Sequence, residues 1–282
     1  MLKALKNHWQ EYLIEAWGLG TFMVSACAFG VLFFHPDAPF AAVNFAFRNA
    51  LMGIAMGATA VLIFLSPWGM RSGAHINPSV TLVFWRLGKI KTPDAVFYIL
   101  AQFAGASLGV WLSWLILGKL LAGGAINFVV TLPGNKGAGA AFAAEVIISF
   151  LMMMMVLVCS NAAHVARLTP FFAGILVAVF ITLEAPISGM SMNPARTFGS
   201  AVVANVWTDW WIYFVAPPLA MLLAAEVYVR ARGLKEVYCA KFYHYGRFRC
   251  IFNCRFGELG KSRDFIEVTK QKAMFPPVTG LF

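Results

Sequence analysis

Ser72-Gly73-Ala74-His75-Ile76-Asn77-Pro78-Ser79-Val80-Thr81-Leu82-Val83-Phe84-Trp85 has a counterpart later in the chain. That counterpart is Ser188-Gly189-Met190-Ser191-Met192-Asn193-Pro194-Ala195-Arg196-Thr197-Phe198-Gly199-Ser200-Ala201-Val202-Val203. Each stretch runs from small residues through Asn-Pro into about three turns of apolar residues. Asn is a favoured helix N-cap, and Pro is favoured at the first helical position. Each Asn-Pro therefore starts a helix well short of the ~20 residues that cross a bilayer. Two such half-helices meeting end to end make one extra span.

The surrounding sequence supplies the full spans. No Asp, Glu, Lys or Arg occurs in 16–36, 49–70, 95–118 or 146–166, and 168–183 and 210–225 extend if Glu184 and Glu226 snorkel or pair. Six helical spans result. Of the 282 residues, 60% are hydrophobic and 12% charged, and the mean hydropathy is +0.74. A soluble domain carries about 25% charged residues, so a soluble fold and disorder are both excluded. Nor do short alternating segments mark an outer-membrane barrel. Lys3, Lys6 and Ser25-Ala26-Cys27-Ala28 imitate a signal peptide, but the apolar stretch exceeds the ~7–15 residues of such a segment and reads as a retained helix.

Three spans lie between the two Asn-Pro stretches, so these enter from opposite sides as an inverted repeat. The halves cover about 10–118 and 139–232, and the 144–150 stretch from Ala144 and Glu145 echoes 16–22 from Ala16 and Trp17. Non-helical backbone at membrane depth needs burial or a wet cavity. Gly73, Ala74, His75 and Ile76, with Gly189, Ser191 and Met192, are therefore expected to line a pore with their backbone. Glu145 is expected to be a buried acid holding backbone N–H groups of a pore loop.

An even number of spans puts both termini on one side, and the positive-inside rule makes it cytoplasmic. Lys3, Lys6, Arg71, Arg86, Lys89, Lys91, Arg167 and the basic tail then lie inside, against Arg48, Lys119, Lys136 and Arg196 outside. A multi-pass cell-membrane protein is expected. Its net charge of +10 sits mostly in the tail and points to anionic lipid headgroups, not nucleic acid.

The two motifs resemble those of the aquaporins, or major intrinsic proteins. Gln102, Glu145, Trp211, Tyr213 and Pro217 support the resemblance, which covers about 10–232. It implies an all-α membrane fold of six transmembrane helices plus two re-entrant half-helices, a pore in each protomer and a homotetramer. The channel domain is 1–232 and the tail 233–282. Three departures stand out. Ser79 replaces the usual Ala, Thr197 stands where glycerol facilitators carry Asp, and Trp17 stands where a buried Glu is usual, with Glu15 pointing elsewhere on the helix.

Such a pore places two positive half-helix ends, capped by Asn77 and Asn193, at the midplane. Amide donors and a carbonyl ladder exchange partners with a neutral molecule, while a cation loses its hydration without compensation. The expected function is a passive channel, without a required cofactor, for water, polyols, ammonia or neutral metalloid acids. The alternatives are a strictly water-selective channel and, more remotely, an ion-coupled transporter. By resemblance the selectivity ring comprises Gly57, Ile181, Met190 and Arg196, closer to the wide-filter, nodulin-like branch. In the tail, Cys239, His244, Cys250 and Cys254 form either a zinc site or an incidental set of cysteines in a basic tail.

Overall fold

The computed structural model describes residues 1–260, so the part of the 233–282 tail beyond 260 lies outside the described residues. The helices are α1 (Leu2–Phe34), α2 (Phe45–Leu65), α3 (Pro67–Ser72), α4 (Pro78–Arg86), α5 (Thr92–Leu117), α6 (Lys119–Ala122), α7 (Gly137–Ser160), α8 (Thr169–Ser188), α9 (Pro194–Ala204) and α10 (Trp211–Arg232). Six of them, α1, α2, α5, α7, α8 and α10, are long and apolar enough to span a bilayer. The half-helices α4 and α9 have 9 and 11 residues.

Several spans outrun their charge-free intervals, because the charges near their ends find partners. Arg71 Nε donates to Glu11 at 3.0 Å. Asp94 accepts the Tyr12 hydroxyl at 2.6 Å and lies 2.7 Å from His8 Nδ1. Paired in this way, an acid can stay in a helix that a hydropathy reading would truncate.

The halves interlock. Helix α1 packs on α5 and α7 on α10, the corresponding pairs, while α2 packs on α8 across the centre. Half-helix α4 leans on α10 and α9 on α5, each against the other half of the chain. The Met152–Met155 run spreads round α7, with Met153 buried and Met154 and Met155 partly buried against the core.

The α2–α8 crossing corrects one sequence expectation. A Cβ on Gly57 would stand 2.5 Å from the Gly174 carbonyl oxygen, and one on Gly53 would stand 2.4 Å from that of Ala178. Gly57 thus faces the α8 backbone and is a crossing residue, not a wall of the pore. Gly57→Ala is expected to destabilise the fold by about 1–3 kcal/mol through overpacking. Thermal unfolding in detergent checks this; an unchanged midpoint would mean the crossing is looser than described.

Candidate functional site

The segments before the half-helices share one backbone design. Gly73 (φ 95°) and Gly189 (φ 79°) end α3 and α8 in the left-handed region. Ala74 (φ 53°) and Ile76 (φ 40°) match Met190 (φ 47°) and Met192 (φ 53°). Left-handed geometry costs a side-chain-bearing residue roughly 1–2 kcal/mol, so something must hold these segments.

Two buried acids do so. Glu145 Oε1 accepts from Ser188 Oγ at 2.8 Å and from Ser191 N at 2.7 Å, while Oε2 accepts from Met192 N at 2.8 Å. Glu15 mirrors it. Its Oε1 accepts from Ser72 Oγ (2.8 Å) and His75 N (3.1 Å), and its Oε2 from Ile76 N (2.6 Å) and Gln102 Nε2 (2.9 Å). Tyr98 and Tyr213 complete the pairing, donating to the Ser72 and Ser188 carbonyls at 2.7 and 2.5 Å. The expectation that Glu15 points elsewhere is therefore corrected. The echo that set Trp17 against Glu145 followed small residues, whereas the acid occurs two positions earlier. Trp17 packs edge-on against Trp68, centroids 4.7 Å apart.

Asn77 and Asn193 each do two jobs. Each Oδ1 caps its own half-helix, accepting from Ser79 N at 2.8 Å or from Ala195 N and Arg196 N at 3.1 and 3.2 Å. Each Nδ2 donates across to the other segment, Asn77 to the Met192 carbonyl at 2.7 Å and Asn193 to the Ile76 carbonyl at 2.8 Å. A primary amide has two N–H donors, so one is left at each Asn. Pro78 and Pro194 occupy the first helical turn, and Ser79 and Ala195 are fully buried.

A cavity of about 340 Å³ meets both Asn residues. It follows α2 from the first turn to the last, touching Phe45, Asn49, Met52, Met56, Ala60 and Phe64. At 1.5 Å per residue, that 21-residue helix is about 30 Å long, the thickness of the hydrocarbon core. His75 and Ile76 line it from the first segment, and Gly189, Met190, Ser191 and Met192 from the second. Gly73 and Ala74, also expected on the wall, are not among the lining residues. Arg196 is the only Lys or Arg on the wall, and no carboxylate lies there among the described residues.

Arg196 donates to the Val129 carbonyl at 2.7 Å. That carbonyl belongs to the α5–α7 connector, whose Ala125, Ile126, Val129 and Val130 reach the cavity. Ile181 and Met190 lie on the same wall. Asn49 Nδ2 donates to the Ile181 carbonyl at 2.8 Å, and Gly53 meets Ala178, so α2 residues 49–53 stand level with Ile181. Of these, Asn49 and Met52 face the cavity. Asn49 and Met52 thus stand on the wall at the level of Ile181, where Gly57 was expected.

The described part of the tail covers the face on which α1 begins and α10 ends. Phe242 N donates to the Gly73 carbonyl at 3.2 Å, and its ring stacks on Phe64 at 4.9 Å and lines the cavity there. His75 Nε2 is 2.9 Å from the Ala240 carbonyl and Nδ1 is 3.1 Å from Thr81 Oγ1. A carbonyl only accepts, so Nε2 carries the proton and Nδ1 accepts. The His75 ring lies between Phe84 and Phe252, centroids 5.1 and 5.4 Å away. Sequence reading missed this cover, because aromatic residues in a basic tail have no periodicity. The four tail ligand candidates do come together, with one ligand atom each within 4.8 Å of all the others.

The sequence model of the family described as Major intrinsic protein matches residues 2–228. Aquaporin-4 of Mus musculus is 36% identical over 163 residues, 57% of this chain and 50% of that protein. A probable NIP-type aquaporin of Nicotiana alata is 37% identical over 180 residues, covering 60% and 61%. The probable aquaporin AqpM of Archaeoglobus fulgidus is 36% identical over 187 residues, covering 63% and 73%. The chain spans about half the length of the first of these curated relatives. The X-ray structure of the aquaglyceroporin from Plasmodium falciparum shares the fold, with a TM-score of 0.68 at 18% identity over 79% of this chain and 96% of that one. With that match across most of its length, the chain belongs to the major intrinsic protein family.

Proposed function

We propose that the chain is a passive transmembrane channel for water and small uncharged solutes that excludes protons and ions, and is not an enzyme. The observation that carries this reading is the cavity that follows the whole of α2 and meets the clasped Asn77 and Asn193. At the clasp, two half-helix N-termini converge, so their positive ends repel a cation. The remaining amide N–H of each Asn replaces the hydrogen bonds that a neutral solute gives up on leaving water. Arg196 adds a fixed positive charge on the wall, held by the Val129 carbonyl.

An ion-coupled transporter would need a titratable acid on the route. Glu15 and Glu145 are buried, saturated by donors from the pore segments and away from the cavity wall, which favours the passive reading. We further propose the native arrangement as a homotetramer in a cell membrane with both termini cytoplasmic. The first follows from the family resemblance and the second from the distribution of Lys and Arg.

The ring is proposed as Met52, Ile181, Met190 and Arg196. Three of the four side chains are apolar, and the Met side chains adapt their shape. Such a ring fixes neither a narrow diameter nor a full set of water partners, so neutral polyols, ammonia or uncharged metalloid acids are expected to pass with water. Stopped-flow measurements on proteoliposomes of chelator-treated protein test this. Water, glycerol and boric acid fluxes should all exceed those of empty vesicles. Met52→Phe with Ile181→His should lower solute flux about tenfold while water flow persists. Conduction of water with exclusion of every solute would establish strict water selectivity instead. Flux that requires an imposed proton or sodium gradient would favour the transporter.

A further inference from the structure

We propose that Cys239, His244, Cys250 and Cys254 bind one Zn²⁺ ion, and that this ion clamps the tail as a plug in the end of the pore beside Gly73. The gate rests on the channel reading above; the metal site stands independently of it.

The donor set fits zinc. Three thiolates and an imidazole are a common structural zinc set, and Zn–S bonds of ~2.3 Å in a tetrahedron put sulfurs about 3.8 Å apart. Cys239 Sγ and Cys250 Sγ stand 3.6 Å apart, and Cys254 Sγ lies 3.1 Å from His244 Nε2. Supporting contacts surround the ligands. Phe256 N donates to Cys254 Sγ at 3.4 Å, and the His244 ring stacks on Phe256 with centroids 4.4 Å apart. Zinc with three thiolates would carry one net negative charge, and two buried cationic residues, Lys89 and Lys241, lie on the same tail-covered face.

The ligand order along the chain ties the metal to the pore. Phe242 lies between the ligands Cys239 and His244, and Phe252 between Cys250 and Cys254. Closing the metal site therefore closes two short loops, each of which delivers one aromatic ring to the pore segment. Phe242 stacks on Phe64 at the end of α2, and Phe252 stacks on His75. A Cβ on Gly73 would meet the Phe252 ring at 2.9 Å, so the cover lies flush on the segment. Backbone contacts seat it on neighbouring loops. Lys241 Nζ donates to the Met70 carbonyl at 2.8 Å, Asn253 N to that of Lys89 at 2.9 Å, and Tyr238 N to Asn161 Oδ1 at 2.8 Å. Residues 239–254 contain neither helix nor strand. A segment so poor in regular structure needs a staple to hold one shape, and a metal bound by its folded form alone supplies it.

The test uses the full chain, purified either zinc-loaded or stripped with a chelator, and reconstituted in liposomes. Elemental analysis should give about one zinc per loaded chain, and close to none for Cys250→Ser with Cys254→Ser. Water permeability should rise about tenfold or more on stripping. Phe242→Ala should keep its zinc and yet conduct when loaded. The double cysteine variant, which leaves the pore untouched, should conduct whether or not zinc is added, so the gate can be judged even if Phe242→Ala misfolds. Zinc content equal in the wild type and the cysteine variant overturns the metal site. Loaded and stripped wild type conducting equally overturns the gate while the channel reading stands. Silence of every form overturns the gate and the channel reading together.

Discussion

Asn193→Asp and Asn77→Asp, each measured in metal-stripped protein, are expected to lower water and solute permeability by about tenfold or more. Each Asn meets three demands at once: an oxygen that caps its half-helix, one N–H that clasps the opposite segment and one N–H for the permeant. Ionised Asp has no donor at all. Protonated Asp has one, and can serve the clasp or the permeant but not both. The ionised form also opposes an oxygen to the Ile76 or Met192 carbonyl that now accepts from the amide. A charge at membrane depth costs about 2.5–3.5 kcal/mol on insertion scales, and a lost buried hydrogen bond about 1–3 kcal/mol more. Osmotic shrinkage of proteoliposomes with matched protein content reads the permeability, and gel filtration in detergent reports whether the variants remain folded. Folded variants that conduct at the wild-type rate would remove the clasp from the mechanism.

The parts of this design that show in sequence are those with a local signature. Asn-Pro followed by apolar residues is a helix start wherever it occurs, and its recurrence after an odd number of spans forces an inverted pair. Charge-free runs reveal spans, although they shorten α1, whose Glu11 and Glu15 bond partners remote in sequence, Arg71, Ser72 and Gln102. Which residue of α2 faces the pore depends on the crossing with α8, set by the close approach of Gly53 and Gly57 to the Ala178 and Gly174 carbonyls. That is a property of two helices, and a position carried over by resemblance along one chain cannot supply it. The α2 sequence does contain a usable signal: Met52-Gly53 and Met56-Gly57 each place a large residue beside a small one, and a small residue seeks the crossing. The tail ligands were legible by residue type, but their position over Gly73 and His75 was not, because nothing in 233–260 has the period of a helix or a strand.

Glu15→Ala is expected to be among the most damaging substitutions in the chain, although residue 15 lies where only Trp17 matched the repeat. Removing the carboxylate leaves three buried donors without an acceptor, Ser72 Oγ, His75 N and Ile76 N, and leaves Gln102 Nε2 with Thr81 Oγ1 alone. Each orphaned donor costs about 1–3 kcal/mol, and partial relaxation reduces the sum. The left-handed Ala74 and Ile76 would also lose the restraint that holds them, so the segment should collapse and take the Ile76 carbonyl away from Asn193. Glu15→Gln separates charge from geometry. Its amide oxygen can still accept from one pair of donors, but its NH₂ meets the other pair donor to donor, so partial recovery is expected. Trp17→Phe should keep most of the packing against Trp68 and leave permeability near wild type. The expected order in unfolding temperature and in water flux is wild type, then Trp17→Phe, then Glu15→Gln, then Glu15→Ala. If Glu15→Ala proved as benign as Trp17→Phe, the first half of the repeat would not depend on its acid, and the symmetry between Glu15 and Glu145 would be one of position without a shared role.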